Sequence, residues 1–163
     1  MTLDSFNRLE AEAAAAALAP CCASPGWAQR VAGGRPYRDV ASLVAAGEAA
    51  FDALGRPAVE AVVAAHPRIG ERPAGDGRES AWSREEQSSV RTATGTGADL
   101  AAANAAYEQR FDRVFLVCAT GLSALDVLAE AKRRLGNDEA TEWTETTREL
   151  RKIVRLRLTK MIR

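Results

Sequence analysis

The stretch "AAHPRIGERP", residues 64 to 73, holds His66, the only histidine of the chain. One imidazole cannot build a multi-histidine metal cage, but its titration near neutrality suits acid or base work. Val59, Val62, Val63 and His66 share one stripe at helical spacing, so the ring is expected to look inward from the end of a helix. The negative partial charge of a helix C-terminus favours the imidazolium there, and burial opposes it. A second polar group is "SREEQ", residues 83 to 87. Ser83 followed by Glu86 has the spacing of a capping box; the same helix start would offer free backbone N–H groups to an anion, with Glu86 and Gln87 at its rim. The third is Arg157. At about 100° per residue it falls among Leu150, Ile153, Val154, Leu158 and Met161, while Arg148, Arg151, Lys152, Arg155 and Arg163 take the other side. A guanidinium on a core-facing stripe calls for an anionic partner, either a carboxylate or a ligand.

The elements that must position these groups read as helices. Residues 5 to 19 are rich in alanine and stop at Pro20, a short helix is expected around Trp27, and "RDVASLVAAGEAAFDAL" ends at Gly55. "PAVEAVVAA" should finish near His66, because Pro67 disfavours a helical residue before it. Residues 67 to 82, with three glycines and two prolines, read as a loop, and a helix is expected from Ser83, weakened at "TGTG", 94 to 97. "ADLAAANAAYEQRF" and "LSALDVLAEAKRRLG" read as helices, and a long one runs from about 138 to 162; "VFLVCATG" is an apolar run suited to a buried strand or a helix start. The expectation is an all-α, single-domain bundle of about seven to nine helices spanning residues 1 to 163.

Composition limits the function classes. The 22 basic and 22 acidic residues cancel, so no global field draws the chain to nucleic acid or a membrane surface. No run of about 18 apolar residues would span a bilayer. The N-terminus lacks the pattern of a secretory signal, and the final "MIR" is not a peroxisomal tripeptide. Cys21, Cys22 and Cys118 are odd in number and two are adjacent, which suits a reducing cytoplasm and not a disulfide framework; nothing near them supplies further metal ligands. "GTG" at 95 to 97 lacks the lysine of a phosphate loop.

Taken in order, "HPRIGERP", "SREEQ", "RFDRVFLVCATG" and "ELRKIVRLRL" resemble the 2-oxo-4-hydroxy-4-carboxy-5-ureidoimidazoline (OHCU) decarboxylases of urate breakdown. "FNRL", "CCAS", Trp27 and "RPY" at 35 to 37 extend the resemblance over nearly the whole chain. Asp112 departs from it, standing where the family usually has glycine after the phenylalanine. The resemblance implies an all-helical homodimer that needs no metal or organic cofactor and acts on a small molecule. That molecule is the unstable product of hydroxyisourate hydrolysis, which loses CO2 to give (S)-allantoin. It also implies His66 as the catalytic histidine, with Glu86, Gln87 and Arg157 completing the polar set. Pro67, Ser83 and the backbone of Val117, Cys118 and Ala119 would line the pocket. Two other classes compete: a nucleic-acid-binding module using the basic face of "RELRKIVRLR", and a ligand-sensing protein that kept the pocket without the chemistry.

Overall fold

In a computed structural model of the chain, residues 1–71, 77–88 and 96–163 are described, and they form nine α-helices and no strand. The helices are α1 (Leu3–Asn7), α2 (Ala11–Leu18), α3 (Pro25–Gly33), α4 (Val40–Asp52), α5 (Arg56–Ala64), α6 (Arg78–Glu86), α7 (Gly97–Phe111), α8 (Ala124–Arg134) and α9 (Glu139–Met161). They fall into two compact units, residues Met1–Val62 with Arg151–Arg163, and residues Val63–Leu150. The all-α expectation holds. The weakening expected at 94 to 97 lies partly outside the described residues; Thr96 and Gly97 open α7.

In the first unit the alanine-rich stretch makes two helices where one is expected. The break falls between Asn7 and Ala11 because Arg35 takes the carbonyls there: its Nη1 donates to Phe6 O at 3.1 Å and to Leu9 O. Tertiary capture of those oxygens outweighs the helix propensity of the flanking alanines. Ser24 caps α3 with Pro25 at its first position, and Trp27 donates through Nε1 to Gly47 O at 2.8 Å. A Cβ on Gly47 would come within 2.4 Å of Leu158 Cδ1, so the missing side chain lets α4 and the last turns of α9 close on each other. Cys21 and Cys22 are buried among them. Outside this core, Arg151 pairs with Asp52 at 3.0 Å and with Glu48 at 3.0 Å, and Arg155 reaches Glu48 at 3.3 Å. Two residues of the basic face of α9, Arg151 and Arg155, therefore meet acids on α4.

The second unit packs Ile69, Leu100, Tyr107, Phe111, Phe115, Val117, Val127 and their neighbours into one core. Two expectations change here. The helix expected to begin at Ser83 begins five residues earlier, at Arg78, with Gly77 at its N-cap and Glu79 in its first turn. "RESAW" is itself helix-forming, and extending an existing helix is easier than nucleating a new one at Ser83, so no capping box forms there. "VFLVCA", residues 114 to 119, is neither strand nor helix. Its polar backbone is held by side chains instead: Arg134 Nη1 donates to Leu116 O at 2.7 Å, and Cys118 N–H donates to Glu149 Oε2 at 2.9 Å.

Candidate active site

Pro67 ends α5 two residues early, and the chain turns with His66 N–H on Val63 O at 3.0 Å. The loop that follows is fixed at three points. Arg68 forms a forked pair with Glu108, at 2.5 and 3.0 Å. Asn104 Nδ2 donates to Ile69 O at 2.9 Å, and the Gly70 N–H donates to Gln87 Oε1 at 3.0 Å. Gly70 sits at φ +89°, a conformation that favours glycine, and a Cβ there would press to 3.1 Å from Leu100 Cδ2, so that side chain would have to shift by a few tenths of an ångström. The imidazole at the head of this loop is half-buried, with its Nε2 shielded from solvent. His66 and Pro67 line a cleft of about 400 Å³ together with Arg68, Glu71, Glu108, Asp112 and Arg113. A larger cavity of about 630 Å³ shares Arg68, Glu71 and Glu108 with this cleft and runs between Ile69–Glu71 and α7, without His66.

The remaining site candidates distribute as follows. Ser83 is buried in the last turn of α6, Gln87 is buried at the C-cap, and Glu86 between them is half-buried. This reverses the polarity expected from sequence. Carbonyls, not free N–H groups, point out of a helix C-terminus, so α6 offers no N-terminal anion site at Ser83. Val117 and Ala119 are buried and Cys118 is partly so. The structure brings Gln87 onto the His66 loop through Gly70 and sets Glu149 on Cys118. Arg157 belongs to the other unit, where it is 1 % exposed and its Nη1 donates to Pro20 O at 3.2 Å.

Sequence reading missed the polar groups beneath this site. Arg134 and Glu142 are both fully buried and paired at 2.9 and 2.5 Å, with Glu142 also accepting from Tyr107 Oη and from Asn137 Nδ2 at 2.9 Å. Burial, and after it the hydrogen bond to Glu142, pushes the Tyr107 phenol above its ordinary range. The signal was present: Arg134 continues the stripe Val127, Leu128, Ala131, and Asn104 lies on the stripe Leu100, Ala103, Tyr107, Phe111, by the same construction that singles out Arg157.

Arg113, which follows the position where the resembled family has glycine, is held between the rings of Phe111 and Trp143 and paired with Glu139 at 2.9 Å. Asp112 itself takes the left-handed conformation, φ +53°, that ends α7. An aspartate tolerates that region better than most side chains, so the turn a glycine would make is kept.

The chain matches the family model for OHCU decarboxylases over residues 7–159. It is 32% identical over 141 residues to the OHCU decarboxylase of Amia calva, covering 85% of this chain and 81% of that protein. It is 27% identical over 145 residues to the uric acid degradation bifunctional protein TTL of Arabidopsis thaliana, covering 86% of this chain and 45% of that one. Among solved structures, the crystal structure of an OHCU decarboxylase in the presence of (S)-allantoin superposes with a TM-score of 0.76 at 23% identity, covering 88% of this chain and 94% of the other. With the motifs in order, the helical fold in common and the match running through both halves, the chain belongs to the OHCU decarboxylase family.

Proposed function

We propose that this chain, a carboxy-lyase of urate breakdown, converts 2-oxo-4-hydroxy-4-carboxy-5-ureidoimidazoline to (S)-allantoin without a cofactor, and that residues 1 to 163 make up one decarboxylase domain. The observation that carries the reading is the bond from Gly70 N–H to Gln87 Oε1 at 3.0 Å. It ties the loop headed by His66 to the last turn of α6, which bears Ser83 and Glu86.

The chemistry asks for no external electron sink. When the bond to the carboxylate carbon breaks, CO2 leaves and the electron pair enters the conjugated C=N of the ring. Proton delivery to one face then decides which enantiomer forms. His66 supplies or relays that proton, and Glu86 orients the hydroxyl or ureido N–H groups. Arg157 holds the anionic carboxylate as a guanidinium does, and Pro67, Ser83, Gln87 and the backbone of Val117 to Ala119 complete the binding surface. Cys21, Cys22 and Cys118 form no disulfide, which suits a cytoplasmic setting, and the family resemblance supports a homodimer.

The test is circular dichroism at an allantoin band, starting from urate with uricase and hydroxyisourate hydrolase, with and without this protein. Rapid growth of one enantiomer is expected; a slow racemic decay unchanged by the protein would refute the reading. His66→Asn is expected to abolish the stereospecific signal with helix content intact, and retained (S)-selectivity would remove His66 from the mechanism.

A further inference from the structure

We infer that Glu149, on α9, is a positioning residue for the reaction: it holds the Val117–Ala119 backbone so that the Val117 and Ala119 N–H groups, and not that of Cys118, face the substrate. The inference rests on the reading above, and it assigns the donors within a segment that the reading treats as a whole.

Three observations carry it. The first is that residues 114 to 119 form no helix, strand or turn, so backbone repeats do not set their direction. Two ionisable side chains set it instead. Arg134, from α8, holds Leu116 O at 2.7 Å, and Glu149 accepts the Cys118 N–H at 2.9 Å. The second is that the Cys118 N–H is thereby spent on a carboxylate, a stronger acceptor than a neutral one, and cannot also serve a ligand. The third is that Val117 and Ala119 are buried, yet no described residue accepts from their N–H groups. Buried backbone N–H groups without an acceptor are rare in folded proteins, and a carbonyl or carboxylate oxygen of a bound molecule is what would complete them. Where backbone runs extended, neighbouring N–H groups point to opposite sides, so a carboxylate on the Cys118 N–H is the contact that sets which side its two neighbours offer.

Glu149 touches no reacting atom in this scheme; it acts through the backbone. Its removal should therefore loosen the geometry of the donors while leaving the fold in place. Arg134 cannot serve as the probe, because it also belongs to the buried pair with Glu142.

The experiment compares Glu149→Gln, Glu149→Asp and Glu149→Ala in the coupled urate assay, with amide NMR on the same proteins. Glu149→Asp withdraws the carboxylate by one methylene, and Glu149→Ala removes the acceptor. Both are expected to lower kcat/KM by about tenfold or more, in line with the cost of misplacing a binding group by an ångström. Glu149→Gln keeps reach and an acceptor oxygen and is expected to recover most of that loss. A purely structural role would instead lower the unfolding midpoint in all three with kcat/KM of the folded protein unmoved. In the NMR arm, (S)-allantoin is expected to shift the Val117 and Ala119 amides, and Glu149→Asp should speed hydrogen exchange at Cys118. Equal activity of Gln, Asp and Ala variants, or an allantoin shift centred on Cys118, would overturn the assignment. An inactive wild-type protein whose amides ignore (S)-allantoin would instead bring down the reading on which it rests. Should the Ala variant fail to fold, the Asp and Gln pair alone decides.

Discussion

Glu142→Ala isolates the buried ion pair of the Val63–Leu150 unit. The wild-type carboxylate accepts from Arg134 Nε at 2.9 Å and Nη2 at 2.5 Å, from Tyr107 Oη, and from Asn137 Nδ2 at 2.9 Å. Truncation leaves Arg134 fully enclosed, with only Leu116 O at 2.7 Å and Thr146 Oγ1 at 3.1 Å to accept from it. Breaking such a pair from one side costs about 3–5 kcal/mol, because the remaining charge is buried and uncompensated. The Tyr107 hydroxyl and the Asn137 amide each lose an acceptor, at about 1 kcal/mol apiece if water does not replace it. These effects share one cavity and do not add fully, so a loss of about 4 kcal/mol is expected. Against a total stability of roughly 5–15 kcal/mol, that moves a urea midpoint by about 2 M at an ordinary m-value. Arg134→Met combined with Glu142→Leu removes both charges and should be less destabilised than Glu142→Ala alone, although Leu116 O loses its donor. Urea unfolding followed by tryptophan fluorescence and far-ultraviolet dichroism measures both. A loss below about 1 kcal/mol for Glu142→Ala, or a double variant as weak as the sum of its singles, would refute the account of an enclosed, mutually dependent pair.

Other expectations follow from the same geometry. Gly70→Ala forces a side chain into φ +89° and against Leu100, and should cost about 1–2 kcal/mol by urea unfolding and depress decarboxylation, since it displaces the N–H that Gln87 holds; a variant as stable and active as wild type would contradict this. Burial raises the pKa of both tyrosines, Tyr37 and Tyr107, above the ordinary 10.0, so near-ultraviolet absorbance should show little phenolate at that pH until the protein unfolds. The sign is fixed by linkage: a raised tyrosine pKa leaves the folded state holding more protons, so this contribution to stability is present below the unfolded value and declines as pH rises from there towards the folded one. Arg151→Ala breaks an exposed pair with Asp52 and a part-buried one with Glu48 and should cost about 1 kcal/mol, a cost that added salt reduces.

The legible part of this protein was whatever a side chain's periodicity reports. Helix spacing placed Val59, Val62 and Val63 in the core and turned Arg157 inward, and each is buried. Stop signals such as Pro20, Gly55 and Pro67 marked ends to within a few residues, because proline and glycine act through local backbone geometry alone. The start of α6 was not legible in the same way. Ser83 has the chemistry of an N-cap, and so does the Gly77 that takes the position; which one caps depends on whether the five residues between them join the helix. The break between α1 and α2 is of the same kind, since it follows from Arg35 arriving from a distant part of the chain to take two carbonyls.

By itself the sequence determined the helical class, the inward polar residues and, through the order of its motifs, the family. Tertiary structure alone decided how the His66 loop is held, by Gln87 and Asn104, and which side chains hold the uncoiled segment from Phe115 to Ala119. The physical reason is the range of the interactions. Propensity and periodicity act over one or two turns and are written in neighbouring residues, whereas a buried N–H or carbonyl takes whichever partner the fold delivers, 17 residues away for Gly70 and 31 for Cys118.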